Sequence, residues 1–435
     1  MTLKSIFTSL SIIDKSTFKR WSGFILTFLA GQSLLQILQA LIGFILIRWL
    51  SIEEYAQYSL AFAFQNTAQG LVEFGFSGAI IALLGKRIHK KEVLGSYIKA
   101  GRFYRNRSFV IIGVAIVILF PILTSEHNWP LHVTIFLLLS ILSNLFFSGN
   151  ISYYSPPLKI HKQFKAIYRI SIGTQLLRFG MIGFFYILNA LNAWLAAFSN
   201  SIMTVLNGYF FKRRSQEYVT EPKHSNPEVR KEMLDYIKPI IPGILFASIQ
   251  AQVTIFIISI FGSTENIAEV GALGRLGQLY TILTLSASTL VSPYFARQNN
   301  KGLFGKYVLI LLPYFAIIST AVFIGYTFPN LFFLILGEKY DHLNAELVIL
   351  LSLSGLNVLN GVLWAMNASR KWIYNWMPIV SISGTLLVQL IAAMILNLSS
   401  TYNVLLFSLY TSIFVLFTRF LVSFVGLKKS LYAKS

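Results

Sequence analysis

Three arginines inside apolar segments are the side chains best placed to bind a charged ligand. Arg178, Arg275 and Arg419 each interrupt a long run of hydrophobic residues. A cation at membrane depth is costly, so it marks a functional site by default, and the planar guanidinium matches the oxygens of a phosphate. We predict that Arg178 and Arg275 bind a phosphate-bearing ligand. The alternatives are a helix neighbour or a carbonyl for Arg178, and Glu265 or Glu269 for Arg275.

Two further cations have simpler competing explanations. Arg419 lies nearer the end of its apolar run, where a long side chain can snorkel to the interface. Arg48 ends the first apolar run beside Glu53 and Glu54. For both we predict either a substrate contact in a cavity or an interfacial anchor, which for Arg48 pairs with the two acids.

Glu73 is an acid inside an apolar run. A basic segment at residues 86–107 follows it, and we predict a gating or coupling role, either by pairing with that segment or by protonation. The alternative is an ordinary acid at the membrane interface.

Amide side chains recur on the faces of several apolar runs. Gln32, Gln36 and Gln39 follow an i, i+4, i+7 spacing and therefore share one helix face. We predict that these amides form the polar wall of a cavity, with Gln36, Gln65 and Gln250 contacting the substrate; interhelical hydrogen bonding is the alternative. The remaining members of the set are Asn66, Gln69 and Gln252.

The composition excludes an ordinary soluble protein. Of the 435 residues 55% are hydrophobic and only 12% are charged, whereas a soluble domain carries about 25% charged residues. The net charge of +20 lies in short loops between apolar runs, which argues against a nucleic-acid-binding face. Cysteine is absent, and the chain has no phosphate-binding loop, metalloprotease motif or catalytic triad. We expect a membrane protein that is not an enzyme and needs no cofactor or metal.

Apolar runs of spanning length predict twelve transmembrane helices and an all-α fold. Of the 36 Lys and Arg, 31 fall in alternate connections that include both terminal segments, so the positive-inside rule places both termini in the cytoplasm. The predicted spans are residues 22–48, 55–76, 108–125, 131–153, 167–188, 191–211, 236–261, 267–292, 304–327, 343–367, 374–397 and 401–426.

Two segments have further predicted structural features. The second span is long enough to continue to residue 84, and Gly75 and Gly78 predict a bend within it. The segment 86–107 mixes basic and apolar residues, which favours an amphipathic helix at the inner leaflet over a plain solvated loop.

The polar segment 212–235 divides the chain into two six-helix lobes, residues 1–211 and 236–435. The acidic turn that begins at Glu54 can be laid on the one at Glu269, an offset of 215 residues. An even number of helices per lobe makes these parallel repeats, related by a pseudo-twofold axis along the membrane normal.

Four motifs resemble those of a known transporter family. They are Arg48-Trp49-Leu50-Ser51-Ile52-Glu53-Glu54-Tyr55-Ala56-Gln57-Tyr58, Glu73-Phe74-Gly75-Phe76-Ser77-Gly78-Ala79-Ile80, Ser292-Pro293-Tyr294-Phe295-Ala296 and Leu336-Gly337-Glu338-Lys339-Tyr340. The first is similar to an R-x-L-x-x-x-E-Y-G-x-Y turn, with Ala56 in place of the usual glycine. The sequence resembles the polysaccharide transport branch, with O-antigen (Wzx-type) and teichoic-acid-type flippases, of the multidrug/oligosaccharidyl-lipid/polysaccharide (MOP) flippase superfamily.

This resemblance implies a flippase in the cytoplasmic membrane of a bacterium. Its substrate would be an undecaprenyl-pyrophosphate-linked oligosaccharide, moved between leaflets by alternating access in a two-lobed, V-shaped fold. Membrane lipids and a polysaccharide polymerase of the same pathway are the implied partners, and nucleic acid is not. A multidrug transporter that exports organic cations, or a membrane polysaccharide polymerase or ligase, is the alternative function.

Overall fold

The computed structural model describes residues 15–84, 90–300 and 302–432, and these residues form helices without a β-strand. The predicted all-α fold is thus confirmed. The α-helices are α1 (Lys15–Trp49), α2 (Ile52–Glu73), α3 (Phe76–Leu84), α4 (Lys91–Glu126), α5 (Leu131–Ile160), α6 (Phe164–Ile187), α7 (Ala193–Ser215), α8 (Pro227–Ile237), α9 (Ile241–Gln250), α10 (Val253–Phe261), α11 (Thr264–Gly277), α12 (Thr281–Ser286), α13 (Ser292–Ala296), α14 (Leu303–Thr327), α15 (Asn330–Leu336), α16 (Asn344–Ser369), α17 (Trp376–Ile395) and α18 (Thr401–Tyr432).

Ten helical segments among the described residues are long and apolar enough to cross a membrane, and the bent pair α9–α10 makes an eleventh. The segment α2–α3 counts as one span, as does the segment from α11 to α13. Helix α7 coincides with the remaining predicted span but is less apolar, because it presents small and polar residues such as Ser199 and Ser201 to α5. We call the two ends of the molecule outer and inner after the orientation predicted from the sequence.

The predicted bend in the second span is confirmed. Helix α2 ends at Glu73, and the next two residues, Phe74 and Gly75, have positive φ angles of 41° and 77°. This left-handed geometry ends a helix, and glycine adopts it without steric cost. Helix α3 then continues as a separate segment against α4 and α8.

The described part of segment 86–107 is helical as predicted, but the expected position of its apolar face at the inner leaflet is wrong. Residues 91–107 are the first turns of α4, which runs without interruption to Glu126. Leu94, Tyr97 and Ile98 are buried against other parts of the protein, so their apolar face contacts protein and not lipid. Residues 86–89 lie outside the described part of the chain.

The predicted span at residues 236–261 is not a single straight helix in the structure. It consists of α9 and α10, which meet at an angle of 54° around Ala251 and Gln252. Tertiary contacts explain this bend, since neither residue is glycine or proline. Helix α9 lies against α2 of the N-terminal half, whereas α10 packs chiefly against α11 and α18 of the C-terminal half and also contacts α2 and α4. Between α10 and α18, Thr254 and Ser408 share a hydrogen bond of 2.7 Å.

The central seam between the two halves is the contact of α2 with α11. Both helices begin with a capping box, at Ser51 and at Ser263. The two capping boxes are 212 residues apart, three fewer than the offset at which the sequence aligns the two acidic turns. Close packing along the seam is possible because Gly271 has no side chain: a Cβ atom there would lie 2.4 Å from Ser59 Oγ.

The seam makes a prediction about stability. Gly271→Val is expected to lower the thermal unfolding temperature of the purified protein in detergent, because overpacking a tight contact costs about 1–3 kcal/mol. Gly274→Val, in the same helix, is the matched control, since no atom lies within 4 Å of a Cβ there. Equal unfolding temperatures for the two variants would contradict the described seam.

Candidate substrate-binding site

Two buried arginines from different halves converge on Tyr58 of α2. Arg178, on α6, donates a hydrogen bond of 3.1 Å from Nη2 to the Tyr58 hydroxyl. Arg275, on α11, places its guanidinium carbon 5.7 Å from the centroid of the Tyr58 ring. The two residues are 5% and 7% exposed. The sequence-predicted candidates Arg178 and Arg275 therefore belong to one site.

Arg275 crosses the seam from the C-terminal half into the N-terminal half. Its guanidinium carbon lies 4.3 Å from the Phe62 ring centroid, and its stem passes Gly43 of α1, where a Cβ would be 3.0 Å from Arg275 Cδ. Nη1 lies 3.5 Å from the side-chain oxygen of Gln278. The aromatic faces and the amide give the cation partial compensation through cation–π and dipole interactions.

No carboxylate pairs with either guanidinium in the described part of the chain, whose ion pairs lie elsewhere. Glu269, an alternative partner considered for Arg275, instead contacts His342 at 2.9 Å and accepts hydrogen bonds from Asn266 and Thr401. Burial raises the pKa of the nearby Tyr340 hydroxyl, and the negative charge of Glu269 acts in the same direction. Nε of Arg178 is buried with no acceptor among the described residues. Arg178 therefore keeps a donor for an anion.

A cavity of about 490 Å³ lies beside Arg275 between the two halves. Its walls come from α2, the α9–α10 bend, the segment that begins with α11, and α16 and α18. Besides Arg275, its described lining residues contribute amides and hydroxyls but no carboxylate; the polar members are Ser59, Asn66, Gln252, Thr254, Gln278, Thr281, Thr284, Ser354 and Asn357. Such a lining suits an anion that carries hydroxyl groups.

The three predicted glutamine contacts occupy different environments. Gln36 accepts a 3.4 Å hydrogen bond from Thr281, which lines the cavity. Gln65 is buried inside the N-terminal half, where its amide donates to the carbonyl of Ser140 at 3.4 Å. Gln250 exchanges hydrogen bonds of 3.0 and 2.7 Å with Gln389. The structure thus places Gln36 next to the cavity and uses Gln65 and Gln250 as hydrogen-bonding links between helices.

Arg419 lies apart from this cavity, in α18. Its guanidinium carbon is 4.9 Å from the centroid of the Trp364 ring, and Nε and Nη1 are buried without an acceptor in the described residues. The structure does not bring it together with Arg178 and Arg275.

Glu73 pairs with Arg105, a buried cation of the basic segment 86–107 that the sequence did not identify as a candidate. Arg105 Nε lies 3.0 Å from Glu73 Oε1, and Arg105 also donates to the carbonyls of Leu145 and Phe146. Gly149 leaves the space, because a Cβ there would be 2.4 Å from the guanidinium carbon. The pairing with segment 86–107 is present, but both partners belong to the N-terminal half and so join helices within it.

Arg48 and Lys339 form a reciprocal contact at the outer end. Arg48 lies in the last turn of α1 and donates to the carbonyls of Leu334 and Ile335, in the last turn of α15. Lys339 follows α15 and donates to the carbonyls of Arg48 and Leu50 at 3.3 and 2.7 Å. Each cation therefore caps the negative end of a helix in the other half. We call this pair the outer clasp.

The Glu73–Arg105 pair predicts a large stability effect. Glu73→Gln is expected to destabilise the protein by about 3 kcal/mol or more, because it leaves a buried guanidinium without its counter-charge. Glu217→Gln removes an exposed Arg–Glu pair and should cost at most about 1 kcal/mol. Thermal unfolding in detergent compares the two, and a loss for Glu73→Gln no greater than for Glu217→Gln would overturn this account of the pair.

Comparisons with known proteins identify a family and solved structures of similar fold. A family model described as polysaccharide biosynthesis protein matches residues 21–299. No curated protein sequence gives a significant match. A multidrug resistance transporter of the MATE family and the MOP superfamily, in an inward-facing conformation, has a TM-score of 0.65 at 16% identity, over 92% of this chain and 95% of that chain.

Two other solved structures share the fold. The lipid II flippase MurJ, in an inward closed conformation, has a TM-score of 0.64 at 16% identity, over 93% of this chain and 89% of that chain. A MOP superfamily transporter from Pyrococcus furiosus has a TM-score of 0.59 at 15% identity, over 94% of both chains. The family model covers well over half of the 435 residues, and the chain therefore belongs to the polysaccharide biosynthesis protein family and has the multi-pass fold of MOP superfamily transporters.

Proposed function

We propose that this protein is a flippase that moves a lipid-linked oligosaccharide across the cytoplasmic membrane of a bacterium. The substrate is an undecaprenyl-pyrophosphate-linked repeat unit of a surface polysaccharide, which passes to a polymerase of the same pathway. The observation that carries the proposal is the meeting of Arg178 and Arg275 at Tyr58 without a carboxylate.

The charge of the cavity favours an anionic headgroup over an organic cation. A transporter of cations gains affinity from buried carboxylates, but the described lining contains Arg275 and no acid. Pyrophosphate oxygens accept bidentate hydrogen bonds from guanidinium groups, and the amides and hydroxyls around the cavity suit sugar hydroxyls. The membership of the polysaccharide biosynthesis protein family supports the same substrate class. No catalytic step is required, since the substrate changes leaflet and not its covalent structure.

The contacts between halves support an alternating-access cycle. At the outer end the clasp is joined by a 2.8 Å contact of His127 with the carbonyl of Ser259 and by the α2–α11 seam. Toward the inner end the halves meet where α9 crosses α2, and a Cβ at Gly70 would lie 3.0 Å from Ser248 Cβ. Transport requires each set of contacts to open in turn.

Neutralising the central arginines is expected to abolish transport. Arg178→Gln and Arg275→Gln, singly and together, should reduce surface polysaccharide at least about tenfold in a strain lacking the native protein, equivalent to about 1.4 kcal/mol of lost recognition. Lipid-linked precursor should accumulate while the protein remains in the membrane. Surface polysaccharide, precursor and protein are each measured in the same cells.

The control for this experiment is Arg213→Gln, which removes an exposed arginine far along the chain from the site. It should leave export unchanged. Normal export by both central variants would show that the arginines are structural and would remove the main support for a phosphate-binding cavity. A shift in polysaccharide chain length without precursor accumulation would favour a polymerase.

Engineered disulfides test the proposed cycle, and the chain has no native cysteine to interfere. A Cβ at Gly271 lies 2.7 Å from Ser59 Cβ, close enough for a disulfide after a small relaxation. Ser59→Cys with Gly271→Cys should therefore stop export under oxidising conditions, because the outer seam can no longer open. Reductant should restore it. Gly70→Cys with Ser248→Cys makes the corresponding test of the inner contact.

Gly208→Cys with Asn150→Cys is the matched control. A Cβ at Gly208 lies 2.9 Å from Asn150 Cβ, and both residues belong to the N-terminal half. This disulfide should form without affecting export. Undiminished export by the oxidised seam variant, with its disulfide verified by gel mobility after proteolysis, would rule out opening of the outer seam.

A further inference from the structure

A second cationic site lies at the inner end, outside the cavity between the halves. A pocket of about 480 Å³ is bounded on one side by α4 and on the other by the connection between α7 and α8. Helix α4 contributes Lys99, Arg102 and Asn106, which share a helix face with Phe103. We propose that this pocket binds a phosphate group, borne either by a membrane lipid headgroup or by a free phosphate compound.

The charge of the pocket supports this assignment. Lys99 and Arg102 face Lys223 and Arg230 across it, so four cations line a single concave surface. The only described ion pair among them joins Arg102 to Glu221 at 3.6 Å. Like charges gathered in one pocket repel one another, and an anion removes that repulsion.

The walls of the pocket are held in place by several contacts. The backbone N–H of Thr220 donates to the carbonyl of Lys91 at 3.2 Å, and Gly95 allows this approach, since a Cβ there would overlap the Thr220 carbonyl. The hydroxyl of Tyr104 donates to the Arg230 carbonyl at 3.3 Å. These contacts fix the backbone of the connection and of Arg230 against α4, so this part of the wall does not have to be ordered when a ligand binds.

Two further groups are directed at an anion. Ser225 lines the pocket, and its hydroxyl oxygen is buried with no hydrogen-bond partner among the described residues. The pocket also adjoins the N-terminus of α8, an 11-residue helix capped by Asn226, where the helix dipole favours negative charge. A neutral donor beside several cations is typical of a phosphate site.

The position of the pocket favours a ligand at the membrane surface. Arg102 lies six residues before the apolar run that begins at residue 108, or about 9 Å along the helix. Phe103 is flanked by the guanidinium groups of Arg107 and Arg230, at 4.1 and 4.3 Å from its ring centroid. This places the cations at the depth of the inner headgroups under the predicted orientation.

The test measures binding directly and does not depend on transport. Inorganic pyrophosphate is titrated into the purified full-length protein in detergent by calorimetry. Lys223→Gln with Arg230→Gln, and separately Ser225→Ala, should weaken binding, the double variant at least tenfold. Lys212→Gln with Arg213→Gln removes the same two charge types from exposed positions on the same end and should bind as the native protein does.

The central arginines provide a second comparison. Arg178→Gln with Arg275→Gln should retain the pyrophosphate affinity of this pocket even if it stops export, so failure of the proposed function and failure of this inference are distinguishable. Loss of all binding in that variant, or equal losses in the two inner-end double variants, would overturn the proposal. All variants are checked for an unchanged unfolding temperature.

Nanodiscs distinguish the source of the phosphate. Native mass spectrometry compares protein from phosphatidylcholine nanodiscs with and without phosphatidylglycerol. The ligand is a lipid headgroup if the native protein retains phosphatidylglycerol and Lys223→Gln with Arg230→Gln abolishes this retention. The control Lys212→Gln with Arg213→Gln should then retain the lipid. Pyrophosphate binding without such retention assigns a free phosphate compound. If the protein shows no pyrophosphate binding and no lipid retention, the proposed site is refuted.

Discussion

The central constraint on this structure is the burial of Arg178 and Arg275 without carboxylate partners. An isolated cation in hydrocarbon costs several kcal/mol even after snorkelling and local hydration, about 2.5–3.5 kcal/mol on insertion scales. The fold reduces that cost through the Tyr58 hydroxyl, the faces of Tyr58 and Phe62, and the polar cavity. Replacing either arginine with an apolar side chain would remove this cost. Under the proposed function, ligand binding explains why both arginines are present.

The contacts that join the two halves at the outer end differ in kind from those at the inner end. The outer end combines the clasp of Arg48 and Lys339 with hydrogen bonds and the close passage of Gly271. The hydrogen bonds among these contacts are exposed or partly buried, and their net worth is small because water replaces them when they break. Such contacts can define one conformation without making it irreversible. The buried Glu73–Arg105 pair lies within one half, where its strength does not oppose separation of the halves.

Hydropathy and charge predicted most of the spanning helices and identified Arg178 and Arg275 as candidates, and the glycines predicted the bend at Gly75. The convergence of the two arginines on Tyr58 was not predicted. The Arg178–Arg275 pair was visible because a charge in an apolar run stands out. Arg105 was not, since it lies among other cations before the apolar part of α4. Its helical spacing was the available signal: Leu94, Ile98, Gly101 and Arg105 follow i, i+4, i+7, i+11 and are all buried.

Other features depend on tertiary contacts that one sequence does not reveal. The bend between α9 and α10 contains no glycine or proline, and it accompanies a change of packing partners, since α9 lies against α2 whereas α10 packs chiefly against α11 and α18. The amide of Gln65 could have faced a cavity or a helix, and only the position of Ser140 decides the matter. Likewise, the basic pocket requires the connection after α7 to lie along α4, a contact permitted by Gly95.

The location of Arg275 links ligand recognition to the movement of the halves. The residue belongs to α11 of the C-terminal half, yet its guanidinium lies on Phe62 and beside Gly43 of the N-terminal half. A ligand changes a conformational equilibrium only through a difference in affinity between the two states. Under the proposed function, a pyrophosphate competes with Phe62 for Arg275, because a charge-assisted hydrogen bond is stronger than a cation–π contact. Binding then weakens the seam at the place where the halves must separate. Arg275 therefore both binds the substrate and couples its binding to the separation of the halves.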